Sequence, residues 1–191
     1  MKGGPTQNPL DLLYREACDL IDGLLILQNA EPPPLEPSER ERLRQAIQRF
    51  EQLIRQAPGH WPALWLLGKV HQRLGSFERG LECFAEAHRI NPHHPDVARE
   101  ASIAAMDAGQ PERAIAFCER AIAVKPSDAG LLANLALAQL FSGRPAEASA
   151  TADEALRQSP SDEITAMIAM VARQVLDGDR PCPRHVRDLA D

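Results

Sequence analysis

The residues of this sequence that could do chemistry are its histidines and cysteines, the usual metal ligands and nucleophiles. Cys182 and His185 are separated by two residues and could supply two ligands to one metal ion. A closed zinc site needs four protein ligands, and no second pair stands at a matching spacing. Pro181 and Pro183 favour an exposed tail here. We therefore predict no metal site.

Catalysis has little support elsewhere in the sequence. The six histidines are scattered, and His93 and His94 fall in an expected turn. The sequence has no glycine-rich phosphate loop, no dinucleotide-binding turn and no nucleophile elbow. Cys83 and Cys118 lie on predicted helices, where we interpret them as small core residues. We expect no enzyme activity and no cofactor.

Composition limits the remaining classes of function. The 191 residues carry a net charge of −6, with 44% hydrophobic and 25% charged residues. A negative chain is not generally attracted to nucleic acid or to an anionic membrane. No run approaches the roughly 18 apolar residues of a membrane span, so we expect no membrane insertion. The first residues lack the apolar run of a signal peptide, and we expect a cytoplasmic protein.

The elements that must position any functional residue repeat every 34 residues. This spacing recurs in prolines, in glycines and in positions held by small or apolar residues. The series are Pro58, Pro92, Pro126 and Pro160; Gly75, Gly109 and Gly143; Ala46, Gly80, Ala114 and Ala148; Leu53, Ala87, Ala121 and Ala155; and Phe50, Phe84, Cys118 and Ala152. Several series at one interval indicate a repeat architecture.

Each series has a physical interpretation. The glycines fall between two apolar-periodic segments, where a helix often ends in a left-handed residue that glycine adopts easily. The prolines follow the second segment, because proline cannot continue a helix. The small residues let neighbouring helices approach closely. The period therefore predicts pairs of helices of about 13 residues, each about 20 Å long.

This pattern resembles the tetratricopeptide repeat, a helix–turn–helix unit of 34 residues. The resemblance rests on residues that recur in three full units: Leu64, Leu67, Gly68, His71, Gly80, Phe84, Ala87 and Pro92; Ala98, Ala101, Ser102, Ala105, Ala114, Cys118, Ala121 and Pro126; and Leu132, Leu135, Ala136, Gln139, Ala148, Ala152, Ala155 and Pro160. It implies an all-α fold, a right-handed superhelical stack of antiparallel helix pairs.

The same register predicts the domain organisation. Residues 1–37 form an N-terminal helix, over 9–28, and a proline-rich connector. Residues 38–178 form the repeat domain, and residues 179–191 form a tail without a regular period. The repeat domain is divided into a half unit at 38–60, full repeats at 61–94, 95–128 and 129–162, and a capping helix at 163–177. Ser38 and Glu41 match a capping box at the start of the half unit. Ala166, Ala169 and Met170 are expected to face the stack.

The resemblance implies that the first helix of each pair lines a concave groove. The register places ten candidate partner-binding residues there: Trp65, Lys69, Arg73, Arg99, Glu100, Ile103, Met106, Asn134, Leu137 and Phe141. The capping helix adds Met167 and Val171. This groove would be basic and aromatic at one end and apolar at the other. Arginine and aromatic side chains are favoured anchors of binding hot spots.

We therefore expect a non-catalytic scaffold that binds a peptide segment of a partner protein. The resemblance leaves two alternatives open, an accessory module of a glycosyltransferase or hydroxylase system and a chaperone for secreted proteins. Glu100 argues against the carboxylate clamp by which some family members bind acidic chaperone tails. Self-association is a further expectation, since the register predicts four apolar residues that are surplus to packing within the chain: Leu25, Ile26, Ile168 and Val175.

Overall fold

The computed structural model describes residues 8–25 and 33–189. The regular elements in these two stretches are helices, as the sequence predicts. The chain divides into two compact units, residues 1–90 and residues 91–191, which we call unit 1 and unit 2. No helix in the described part of the chain has both the length and the apolar character needed to cross a membrane.

Unit 1 is built from two helix pairs. Its helices are α1 (Pro9–Ile21), α2 (Pro37–Gln56), α3 (Trp61–Arg73) and α4 (Phe77–Ile90). Each helix packs against the next along the chain. Helix α1 packs on α2, so the N-terminal helix and the helix of the predicted half unit form the first pair. An edge-to-face contact between Tyr14 and Phe50 joins these two helices, with ring centroids 6.4 Å apart.

Two expected boundaries in unit 1 are wrong. The N-terminal helix ends at Ile21 rather than at residue 28, because Gly23 adopts a left-handed conformation with φ of 71°. Residues 26–28 of that prediction lie outside the described stretches. The capping box uses Glu36 and Glu39 instead of Ser38 and Glu41, so α2 begins at a proline. The Glu39 carboxylate accepts the backbone N–H of Glu36 at 2.8 Å.

Unit 2 contains α5 (Pro95–Asp107), α6 (Pro111–Val124), α7 (Ala129–Phe141), α8 (Pro145–Gln158), α9 (Glu163–Asp177) and a 3-10 turn (Val186–Leu189). Consecutive α-helices pack on one another. In addition, α5 contacts α7, and α7 contacts α9. The first helices of successive pairs in this unit therefore lie side by side.

The 34-residue register is present in the structure. The helices α3, α5, α7 and α9 begin at residues 61, 95, 129 and 163, which are one period apart. Gly75, Gly109 and Gly143 all end a first helix with φ between 68° and 77°. The repeated small and apolar positions are buried in both units, from Ala46 and Phe50 to Ala152 and Ala155. The repeated positions of the sequence are therefore core positions within each unit.

The C-terminal helix and tail differ from expectation. Ala169 faces the core as predicted, but Ala166 and Met170 are exposed. Two residues expected at the surface, Val171 and Ile168, are instead buried in α9. Ile168 is therefore not surplus to packing within the chain, and Ile26 lies outside the described residues. The buried face of α9 is Thr165, Ile168, Ala169, Val171 and Ala172.

Candidate functional site

Polar side chains cap α3, α7 and α9 at their first residues. His60 Nδ1 accepts the backbone N–H of Ala63 at 3.1 Å, at the start of α3. The Asp128 carboxylate accepts the N–H of Leu131 at 3.1 Å, at the start of α7. Asp162 caps α9 in the same way. A capping side chain satisfies an otherwise unpaired backbone donor, so these three helices begin at fixed residues. Helix α5 has no side-chain cap hydrogen bond.

In unit 1, the predicted site residues Trp65, Lys69 and Arg73 are partly buried on α3. The Arg73 guanidinium is held by the chain itself, because its Nε donates to the Leu24 carbonyl at 2.9 Å and a terminal nitrogen donates to the Pro33 carbonyl at 2.6 Å. Arg73 therefore ties Leu24 and Pro33 to α3. These two bonds use two of its five N–H donors and fix the direction of the guanidinium.

The charged candidates of unit 2 are also engaged within the fold. One terminal nitrogen of Arg99 lies 2.8 Å from an Asp96 oxygen, and the other lies 2.9 Å from an Asp128 oxygen. Asp128 thus caps α7 and holds Arg99 on α5. Glu100 is only 8% exposed. The positive charge expected at this end of the groove is balanced by two carboxylates, and Glu100 offers little surface.

The remaining candidates of unit 2 lie on α5 and α7, two helices that contact each other. Ile103 and Met106 on α5 and Asn134, Leu137 and Phe141 on α7 are each partly exposed. We call these five side chains together the α5–α7 face. The three α7 residues are three and four positions apart, which places them along one side of the helix. The Asn134 amide makes no hydrogen bond to another residue within the described stretches. The α5–α7 face therefore combines apolar side chains with the Asn134 amide, which can hydrogen-bond to a ligand.

The C-terminal segment, residues 179–189, also lies at this face, which the sequence did not predict. It shares a surface pocket of about 330 Å³ with the ends of α5 and α7, lined by Met106, Asp107, Phe141, His185, Val186 and Arg187. Leu189 is 4% exposed and belongs to the apolar cluster of α7, α8 and α9. In the sequence of the tail, the three-residue spacing of Val186 and Leu189 is the one feature that is compatible with a helical turn.

Cys182 has a structural environment rather than a metal-binding one. Its thiol donates to the Leu140 carbonyl at 2.9 Å, at the end of α7. Burial raises the pKa of the Cys182 thiol, and the Gly143 N–H opposes this shift. No group of three or more potential ligand side chains comes together in residues 8–25 or 33–189.

The other core thiols are also held protonated by burial. Burial raises the pKa of Cys83 to about 12. Burial raises the pKa of Cys118 to about 11, against a hydrogen bond with Ser102 that lowers it. A thiol with so high a pKa is a poor nucleophile at neutral pH.

Comparison with solved structures places this fold among known repeat proteins. The MamA 41-end structure from Desulfovibrio magneticus RS-1 is 14% identical, with a TM-score of 0.71 over 95% of this chain and 93% of that chain. YrrB, described as a TPR protein with an unusual peptide-binding site, is 17% identical, with a TM-score of 0.64 over 75% of this chain and 73% of that chain.

A third similar structure is the second TPR domain of human RPAP3 in complex with an HSP70 peptide. It is 20% identical, with a TM-score of 0.53 over 56% of this chain and 88% of that chain. Likenesses at these identities establish the fold alone. The search of curated proteins finds no match. The tetratricopeptide repeat family model matches residues 39–99 and 105–171, more than half of the sequence, so the chain belongs to the tetratricopeptide repeat family.

Proposed function

We propose that this protein is a non-catalytic interaction scaffold that binds an extended segment of a partner protein on the α5–α7 face. The proposal rests chiefly on Asn134. An asparagine amide has donors and an acceptor that match a peptide backbone, and here it is flanked by partly exposed apolar side chains. Tetratricopeptide neighbours that hold peptides, such as the RPAP3 domain with its HSP70 peptide, support the same mode of action.

The charges of this face favour an apolar segment over an acidic one. Arg99 is paired with both Asp96 and Asp128, so it adds little net attraction for a carboxylate. Ile103, Leu137 and Phe141 provide the apolar contact area. We therefore propose a partner segment with apolar anchors and a backbone that pairs with Asn134. Trp65 and Lys69 of unit 1 remain predicted contacts.

The accessory-module and secretion-chaperone alternatives would use the same face, so the identity of the partner decides between them. A photo-crosslinking residue, benzoylphenylalanine, can be placed at Ile103 on α5 and, as the control, at the exposed Ala150 on α8. We expect a covalent adduct with one partner segment from position 103 and none from position 150. Adducts from position 150 alone, or none from either position, would contradict the proposal.

A further inference from the structure

The C-terminal segment is closed on itself by its own polar groups. The Arg180 guanidinium donates to the carbonyl oxygens of Asp188 and Leu189. The Asp188 carboxylate accepts the backbone N–H groups of Arg184 and His185, each at 3.0 Å. These bonds join the beginning of the segment to its end. The segment is therefore a compact loop that can dock or separate as one piece.

Apolar packing and one hydrogen bond attach this loop to the rest of unit 2. Leu189 is 4% exposed in a cluster that includes Leu140 and Ile168, and Pro183 is also buried. The Cys182 thiol donates to the Leu140 carbonyl at 2.9 Å. Leu189 buries the largest apolar side chain of the loop, and burial of apolar surface stabilises a contact, so Leu189 is the main anchor of the loop.

The docked loop overlaps the surface to which we assign partner binding. Met106 and Phe141 of the α5–α7 face share their pocket with His185, Val186 and Arg187 of the loop. Leu137 and Phe141 pack against the cluster that contains Leu189. A partner segment that reaches the end of the face therefore meets positions that the loop already occupies.

We propose that the C-terminal segment is a tethered competitor, which covers the Phe141 end of the α5–α7 face until a partner segment displaces it. This inference rests on the proposed function. When only a fraction of the molecules has the face uncovered, the apparent dissociation constant is the intrinsic constant divided by that fraction. The loop therefore sets a threshold for binding. A successful partner needs an apolar anchor that replaces the contacts of Leu189.

Docking of the loop can be measured without any partner, through alkylation of Cys182 by iodoacetamide. We compare the full chain with the variants Leu189→Ala and Val124→Ala, and follow each cysteine by peptide mass spectrometry. Val124 is 42% exposed at the end of α6, outside the loop, so its variant is the matched control. The fully buried Cys118 in the same unit reports general unfolding.

We expect Leu189→Ala to accelerate Cys182 alkylation at least about tenfold, since the main anchor is lost. The Cys182 rate in Val124→Ala and the Cys118 rate in both variants should stay close to wild type. Equal Cys182 rates in wild type and Leu189→Ala would overturn the docked loop.

Competition is tested with the synthetic partner segment recovered from the crosslink at position 103. We expect Leu189→Ala to bind this segment at least about threefold more tightly than wild type does, because more of the face is uncovered. Equal affinities of wild type and Leu189→Ala for the segment would contradict the competitor role of the loop and leave the proposed function intact. Failure to recover any crosslinked segment would overturn both the competitor role of the loop and the proposed function. The alkylation result would still show whether the loop docks.

Discussion

In unit 1 the ring of Phe84 lies against Gly68, whereas in unit 2 the positions one and two periods later hold smaller pairs. A Cβ atom built on Gly68 would stand 2.8 Å from the Phe84 ring, so only glycine fits there. The matching pairs are Ser102 with Cys118 and Ala136 with Ala152, and all four residues are buried. The comparison teaches that the period keeps a buried contact between two helices, whereas the size of the side chains in that contact differs from repeat to repeat.

The two units also differ in how they use polar groups on their first helices. Arg73 of unit 1 holds the carbonyls of Leu24 and Pro33. In unit 2, Arg99 is balanced by acidic side chains, and a largely apolar face remains beside it. Arg73 therefore holds backbone groups of unit 1, whereas in unit 2 partly exposed apolar side chains lie near an arginine that is paired with carboxylates.

The largest expected effect is on the Gly68–Phe84 contact. Replacing Phe84 with alanine should destabilise unit 1 by about 3–5 kcal/mol, because a large cavity remains beside a glycine that cannot fill it. Both tryptophans, Trp61 and Trp65, lie in unit 1, so fluorescence during urea unfolding follows this unit. The equivalent Cys118→Ala should cost unit 2 only about 1 kcal/mol by circular dichroism. Similar losses in both units would contradict the difference in packing.

A smaller effect is expected at Asp128, which both caps α7 and pairs with Arg99. Asp128→Ala should destabilise unit 2 by about 1–2 kcal/mol, since both interactions are lost. Asp128→Asn is the matched variant, because an asparagine side chain still caps a helix but carries no charge. We expect it to keep most of the stability in urea unfolding. Equal losses for the two substitutions would show that the ion pair, not the cap, dominates.

The smallest expected effect is a pH dependence confined to unit 1. His71 is 5% exposed, and burial, assisted by the charge of Arg79, lowers its pKa, while Glu51 and Glu82 oppose the shift. Below about pH 6.5 the unfolded histidine binds a proton that the folded one does not. The free energy of unfolding should therefore decrease as the pH falls from 6.5 through the folded-state pKa.

The register supplies a control for this pH effect. The position two periods after His71 is Gln139, so His71→Gln places the residue type of unit 2 in unit 1. This variant should weaken the dependence of tryptophan-monitored stability on pH between 6.5 and 5. A slope as steep as that of wild type would assign the effect to another group.

The repeat could be predicted because its signals are local. Gly75 and Pro92 determine where helices end through their own backbone conformations, and the structure confirms both positions. Burial at the repeated positions follows from the helical period alone. The extent of α1 was overestimated, since the apolar residues beyond Ile21 continue a helical spacing although Gly23 ends the helix.

The site was less predictable because it depends on contacts between distant residues. The register gives the helix face of Arg99, but its pairing with Asp128 depends on how α5 meets the start of α7. The tail has no regular period, so the spacing of its residues does not predict that Leu189 packs against α7 and α9. Sequence spacing thus identifies the α5–α7 face, whereas three-dimensional packing decides which of its residues are occupied.

The most direct test of partner binding on the α5–α7 face is calorimetric titration of the crosslinked partner segment, in synthetic form, into wild type and Asn134→Ala. Gln158→Ala is the matched control, because it removes an exposed amide from α8, a second helix of unit 2. We predict that Asn134→Ala raises the dissociation constant about two- to tenfold, because one hydrogen bond to the peptide is lost. We expect no change for Gln158→Ala. An unchanged constant for Asn134→Ala, or equal weakening in both variants, would contradict binding at this face.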